Sequence, residues 1–175
     1  MIRIPIGCIA LMANLICFAA DAIPTTLSRE PTFISRIYLD SSKNVRIVYS
    51  DGREFQPPKE EDQVSCESFA VAEDRQTAGW LVDYKNFDTT YAIPMTLVIY
   101  RSGNVIRKIS NEFVIGRWYF RGNGKQVAFY TDTVHGDRAP YYELRDIQTD
   151  KIIDKWQGQL TEKSPEWAKR LSLSD

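Results

Sequence analysis

Few residues in this chain offer chemistry. His135 is its sole histidine and stands between Asp132 and Asp137 in the segment DTVHGDRAP. Two carboxylates and an imidazole could hold a cation, but in a loop such groups usually hydrogen-bond their own turn, so no metal is assigned. Cys66 lacks the local signature of a cysteine enzyme, and nothing in sequence brings His135 near it. Glu73-Asp74 is the one adjacent carboxylate pair inside the patterned region, the type of pair glycosidases use. Its turn position points to solvation instead. Gly-rich phosphate loops, G-x-S-x-G, H-E-x-x-H and zinc-spaced cysteines are all missing. No catalytic residue and no cofactor follow. What remains are recognition groups: Tyr84, Phe87 and Tyr91 in DYKNFDTTYAIP, and His135, Asp137 and Arg138 in DTVHGDRAP. They offer stacking surfaces, a cation, an anion and an imidazole.

The elements that hold these segments read as β-strands. Gln126-Val127-Ala128-Phe129-Tyr130 is a short run of β-formers after the turn at Gly124-Lys125, as expected of a strand covered on both faces. Beyond the loop, Tyr142 and Leu144 alternate with Glu143 and Arg145, the period of a half-exposed strand. Gln148-Thr149-Asp150 is a turn, and Ile152-Ile153 opens a strand ending near Trp156. The same order occurs earlier. Residues 74–81 correspond to 123–130, with Trp80 matching Phe129, and 103–106 correspond to 150–153. An offset of roughly 47 to 49 residues is slightly above the ~40 to 45 of a four-stranded propeller blade. The repeat-like units run over about 64–109 and 114–156. In each, the longest loop, 83–94 or 132–140, joins the second and third strands.

At these residues the chain resembles a family. GNGKQVAF is similar to the strand opening, and ELRDIQTDKII to the hairpin, of TolB-like and WD-repeat β-propeller blades. The resemblance covers 64–156. It implies blade-like sheets. Arg145-Asp146 stands where Trp-Asp is usual, Asp150 stands where the turn glycine is usual, and two repeats fall short of the ~4 blades of a closed propeller. The chain is also similar to small exported bacterial proteins of unknown function through its GWLV, TLVIYR and YELRD strands, which implies no activity.

Outside the repeats, residues 1–22 carry Arg3, an apolar stretch over 8–20 and Ala20-Asp21-Ala22, the form of a secretory signal peptide. About 13 apolar residues interrupted by Asn14 are short of the ~20 that span a bilayer. A single β domain over 23–175 is expected to remain, periplasmic or secreted from a bacterium. Cys66 is then its only cysteine, so no internal disulfide can form. Alternation places Cys66 with Val64, Ser68 and Ala70, opposite Phe69 and Val71, as a buried thiol. Residues 33–39 and 45–49, followed by Asp51-Gly52, predict an N-terminal hairpin. Residues 56–63 form a solvated connector. Ser164 and Pro165 predict the N-cap and first turn of a short helix docked by Trp167 and Leu171. Four Trp, nine Tyr and eight Phe suit the core of a mainly β fold.

With 22 basic and 23 acidic residues, no field favours nucleic acid or an anionic membrane. Equivalent loops of stacked meanders emerge on one edge, so the recognition groups are expected to gather there. The expected function is a non-catalytic envelope module binding another protein or a peptide through 83–94 and 132–140. The alternative is a small-ligand or glycan binder, with an unrecognised hydrolase as its enzymatic form, in which Tyr84, Tyr91 and Tyr141 stack on the ligand.

Overall fold

The computed structural model describes residues 31–86 and 89–172. The signal-like segment and Phe87 lie outside the described residues. The fold is mainly β, with three antiparallel sheets and one short helix among the described residues. The first sheet contains β1 (Ile34–Leu39), β2 (Val45–Tyr49) and β3 (Glu54–Phe55) in that order. The β1–β2 turn closes because Asp40 Oδ1 accepts the N–H groups of Ser42 and Asn44 at 2.9 and 2.8 Å. Gly52, at φ 83°, supplies the left-handed residue that turns β2 into β3.

Two four-stranded meanders follow. Blade A orders β4 (Gln63–Val71), β5 (Thr77–Tyr84), β6 (Ile93–Arg101) and β7 (Asn104–Ser110) side by side. Blade B repeats this with β8 (Val114–Arg121), β9 (Gln126–Asp132), β10 (Tyr141–Asp146) and β11 (Ile152–Gln157). Asp150, in the β10–β11 turn, sits at φ 60°, a conformation Asp tolerates better than most residues.

Three cores stack in series. Ile34 and Ile47 of the first sheet meet Trp80, Val82 and Tyr100 of blade A. Leu81, Leu97 and Ile99 on the opposite face of blade A meet Ile115, Val127 and Phe129 of blade B. Trp80 and Phe129, matched by the repeat, therefore each face the preceding sheet. The far face of blade B, with Ala128, Tyr142 and Leu144, is covered by α1 (Glu166–Lys169) through Trp167 and Ala168, and by Leu171 just beyond it. Trp167 Nε1 donates to Asp154 Oδ2 at 2.8 Å, and Tyr119 Oη donates to the Trp167 carbonyl at 2.9 Å.

Three local expectations need correction. A bulge interrupts the β4–β5 register between Glu67 and Ala70, with Ser68 at φ 52°. The extra residue reverses the alternation, so Cys66, Phe69 and Val71 all pack toward the first core. Strand β10 is covered on both faces: Glu143 is buried beside Phe129, and its carboxylate pairs with Arg145, which also reaches Asp150 at 3.2 Å. A paired carboxylate can enter a core that an unpaired one could not. Ser164 does not cap the helix. Its buried Oγ accepts the Thr161 N–H at 2.8 Å, and the helix begins one residue later, after Pro165, without a side-chain cap.

Candidate functional site

Strand parity divides the connections between two edges. The β4–β5, β6–β7, β8–β9 and β10–β11 turns leave on one edge. Loops 85–92 and 133–140, together with the β7–β8 link at 111–113, leave on the other. Polar clamps tie the blades together on the turn edge. Arg101 of β6 donates to Thr77 Oγ1 at 2.8 Å and to the Gly124 carbonyl of blade B. Arg107 of β7 donates to the carbonyls of Ile147 and Gln148 at 3.0 and 2.6 Å. Asp74 caps its own turn, accepting the Gln76 and Thr77 N–H groups at 2.9 Å each. Its carboxylate is thus committed to turn structure.

The loop edge instead carries three adjoining grooves. One, of about 460 Å³, is lined by Phe113, Asp132, Arg138 and Tyr141. A second, of about 250 Å³, lies between Tyr91 of the first loop and Val134 of the second. The third, of about 290 Å³, brings Asn86 of the first loop to Glu112, His135, Asp137 and Arg138. Tyr91, His135, Asp137 and Arg138 are all exposed here, Tyr91 to 63%. Arg138 lies over the Phe113 ring, 5.4 Å from its centroid, a cation–π contact that holds it between two grooves. The second loop is braced internally, for Thr133 Oγ1 accepts the Asp137 N–H at 3.0 Å. A hydrogen bond with Thr133, helped by Arg138 and His135, holds the Asp137 carboxyl below its usual pKa.

Tyr84 does not join this group. It ends β5 on the face toward the first sheet, packs against that core, and has its phenol pKa raised by burial. Groove residues outside the two predicted loops, among them Phe113, Glu112, Val114, Gly116 and Tyr130, escaped the sequence reading. Phe113 was legible in principle, because a link from a fourth strand to the next first strand leaves on the same edge as a second-to-third loop. Among the described residues no three His, Cys, Asp or Glu side chains gather as a metal site would require.

Cys66 and Asp83 both lie buried inside blade A. Burial pushes the Cys66 thiol up to about 12, with Asp83 and Glu60 adding to the effect. Asp83, at the root of the first loop, is 7% exposed, and its Oδ1 has no hydrogen-bond partner. Burial, with the nearby Glu67 charge, raises its carboxyl to about 6. Among the described residues no helix is long and apolar enough to cross a membrane.

No protein-family model matches the chain, and no curated protein matches it. Among solved structures it is similar to one titled "Structure of Dos1 propeller", with 12% identity and a TM-score of 0.40. The match covers 71% of this chain and 37% of that one, so the aligned part spans little more than a third of the Dos1 chain.

Proposed function

We propose that the protein is an exported, non-catalytic interaction module of the cell envelope, built on blades of the TolB-like or WD-repeat kind, that binds a protein or peptide through its loop edge. One observation carries this reading. The clamps between blades lie on the turn edge, whereas both long loops and Phe113 line grooves on the other edge. Binding groups on loops held by a rigid sheet scaffold are the usual arrangement for recognition. Chemical cross-linking of the tagged protein in envelope extracts, followed by identification of captured proteins, tests it. Tyr91→Ala with His135→Ala should abolish capture while the fold is kept. Capture that survives the double substitution refutes the loop edge as the site.

Export enters the proposal through residues 1–22, and the mass of protein recovered from the envelope tests it. Retention of Met1 in a cytosolic product overturns it. A second reading, small-ligand or glycan binding, draws on the largest loop-edge groove. Its volume of about 460 Å³ lies within the ~300–1,000 Å³ of small-molecule sites, and Tyr141 lines it. A glycan array read against Tyr141→Ala separates this from protein binding.

A further inference from the structure

Between the two loops lies a cavity of about 250 Å³ whose chemistry is narrower than that of its neighbours. Ile93, Pro94, Val114 and Val134 supply apolar walls, and Tyr91 and Tyr130 supply aromatic ones. Among its described lining residues the sole charge is Asp132. Asp132 Oδ1 accepts the Thr133 N–H at 2.7 Å. Among the described residues no Lys, Arg or His lies within ion-pair distance of it. Arg138 lines the adjoining groove, where it rests on Phe113.

The Tyr130 wall is held in place. A Cβ built on Gly116 would come within 2.3 Å of the Tyr130 ring, so that ring lies directly on the glycine backbone. It also meets the Tyr142 ring, with 5.5 Å between centroids. Among the described lining residues of the three grooves, the carboxylates Glu112, Asp132 and Asp137 outnumber one arginine, Arg138, and one histidine, His135. A half-buried carboxylate without a cation, framed by aromatic faces and reached along apolar walls, complements a side chain with an apolar stem and a cationic head. The cavity is smaller than the ~300–1,000 Å³ of small-molecule sites, which favours one inserted side chain over a free ligand.

We propose that this cavity receives a lysine or arginine side chain of the protein partner, its cationic head on Asp132 and its stem between Tyr91 and Tyr130. The proposal rests on the interaction-module reading and names the chemistry by which that module selects its partner.

The test is an NMR titration of ¹⁵N-labelled protein with Nα-acetyl-arginine methylamide and Nα-acetyl-lysine methylamide. Nα-acetyl-citrulline methylamide serves as the neutral counterpart of the arginine probe, and spermidine as a free polycation. At least one amino-acid cation should shift the Gly116, Thr133 and Val134 amides saturably, while citrulline leaves them unmoved. Asp132→Asn keeps the acceptor for the Thr133 N–H and should weaken the cation by about tenfold or more. Gly116→Ala, which displaces the Tyr130 ring, should weaken it as well. Equal binding of citrulline, retention of affinity in Asp132→Asn, absence of saturable shifts with both amino-acid probes, or tighter binding of spermidine than of either each overturns the proposal. His135 does not line this cavity, so the two readings separate. A captured partner that needs Tyr91 and His135 but tolerates Asp132→Asn leaves the module standing and removes this inference.

Discussion

Replacing Asp83 by Asn should stabilise the protein, and only above mildly acidic pH. Asp83 is 7% exposed at the end of β5, where it lies opposite Ser65 on β4 and Pro94 on β6. Proline has no N–H to offer, and Oδ1 is left without a partner. Burial, above all, pushes the carboxyl up to about 6 in the fold, from an ordinary aspartate value of 3.8. The folded state thus holds the proton more tightly than the unfolded one. Between about pH 4 and pH 6 the native protein binds more protons, so its stability falls as pH rises through that window and levels off above it. At about 1.4 kcal/mol for each tenfold change in proton affinity, the rise from 3.8 to about 6 amounts to a penalty near 3 kcal/mol at pH 7. Asn removes the ionisation but brings a carboxamide N–H₂ that needs partners, which returns about 1 kcal/mol or more. A net gain of about 1 to 2 kcal/mol at pH 7, turning into a net loss of about 1 kcal/mol below about pH 4, is expected. Urea unfolding of both proteins at several pH values from 4 to 8 measures the difference directly. A difference that does not change with pH, or a loss of stability at pH 7, would refute the account of Asp83 as a charged group buried at a cost.

Cys66, pushed up to about 12 by burial, should resist a thiol reagent at pH 8 in the folded protein and react at once in denaturant. Fast labelling of the native form would contradict this. Trp167→Ala should cost about 3 to 5 kcal/mol in urea unfolding, because the ring is 7% exposed and anchors α1 to blade B. A loss below about 1 kcal/mol would show α1 to be dispensable. Gly79→Ala should also destabilise, by about 1 to 3 kcal/mol, since its Cβ would meet Trp118 Cη2 at 2.7 Å and the Val98 carbonyl at 3.1 Å. A neutral result in thermal melts would mean the blades can part at this point. Tyr91→Ala and His135→Ala should each change stability by less than about 0.5 kcal/mol, as both side chains are exposed.

Much of this architecture was readable from local sequence because strand period and turn chemistry are properties of a few neighbouring residues. Gln126-Val127-Ala128-Phe129-Tyr130 announces a covered strand, Asp51-Gly52 and Gln148-Thr149-Asp150 announce turns, and the match of Trp80 to Phe129 announces a second copy of one sheet. From these follow the two meanders and the placing of the loops read as 83–94 and 132–140 on one edge, and Pro165 with Trp167 and Leu171 announces the short helix. What escaped depends on register or on a neighbour distant in sequence. The bulge at Ser68 adds one residue to β4, and a period-2 pattern reverses at any such insertion, so the side on which Cys66 and Phe69 meet could not be read from alternation. Glu143 looked solvent-facing until Arg145 neutralised it inside a strand covered on both faces. Tyr84 belongs by sequence to the loop and by packing to the core against the first sheet, because the last residue of a strand follows the face its pleat dictates. Phe87 lies outside the described residues. The cavity around Asp132 draws Tyr91, Ile93 and Pro94 from blade A and Val114, Gly116 and Tyr130 from blade B. Its chemistry comes into being only when the first loop of blade A is brought against the loop-edge ends of β8 and β9 in blade B.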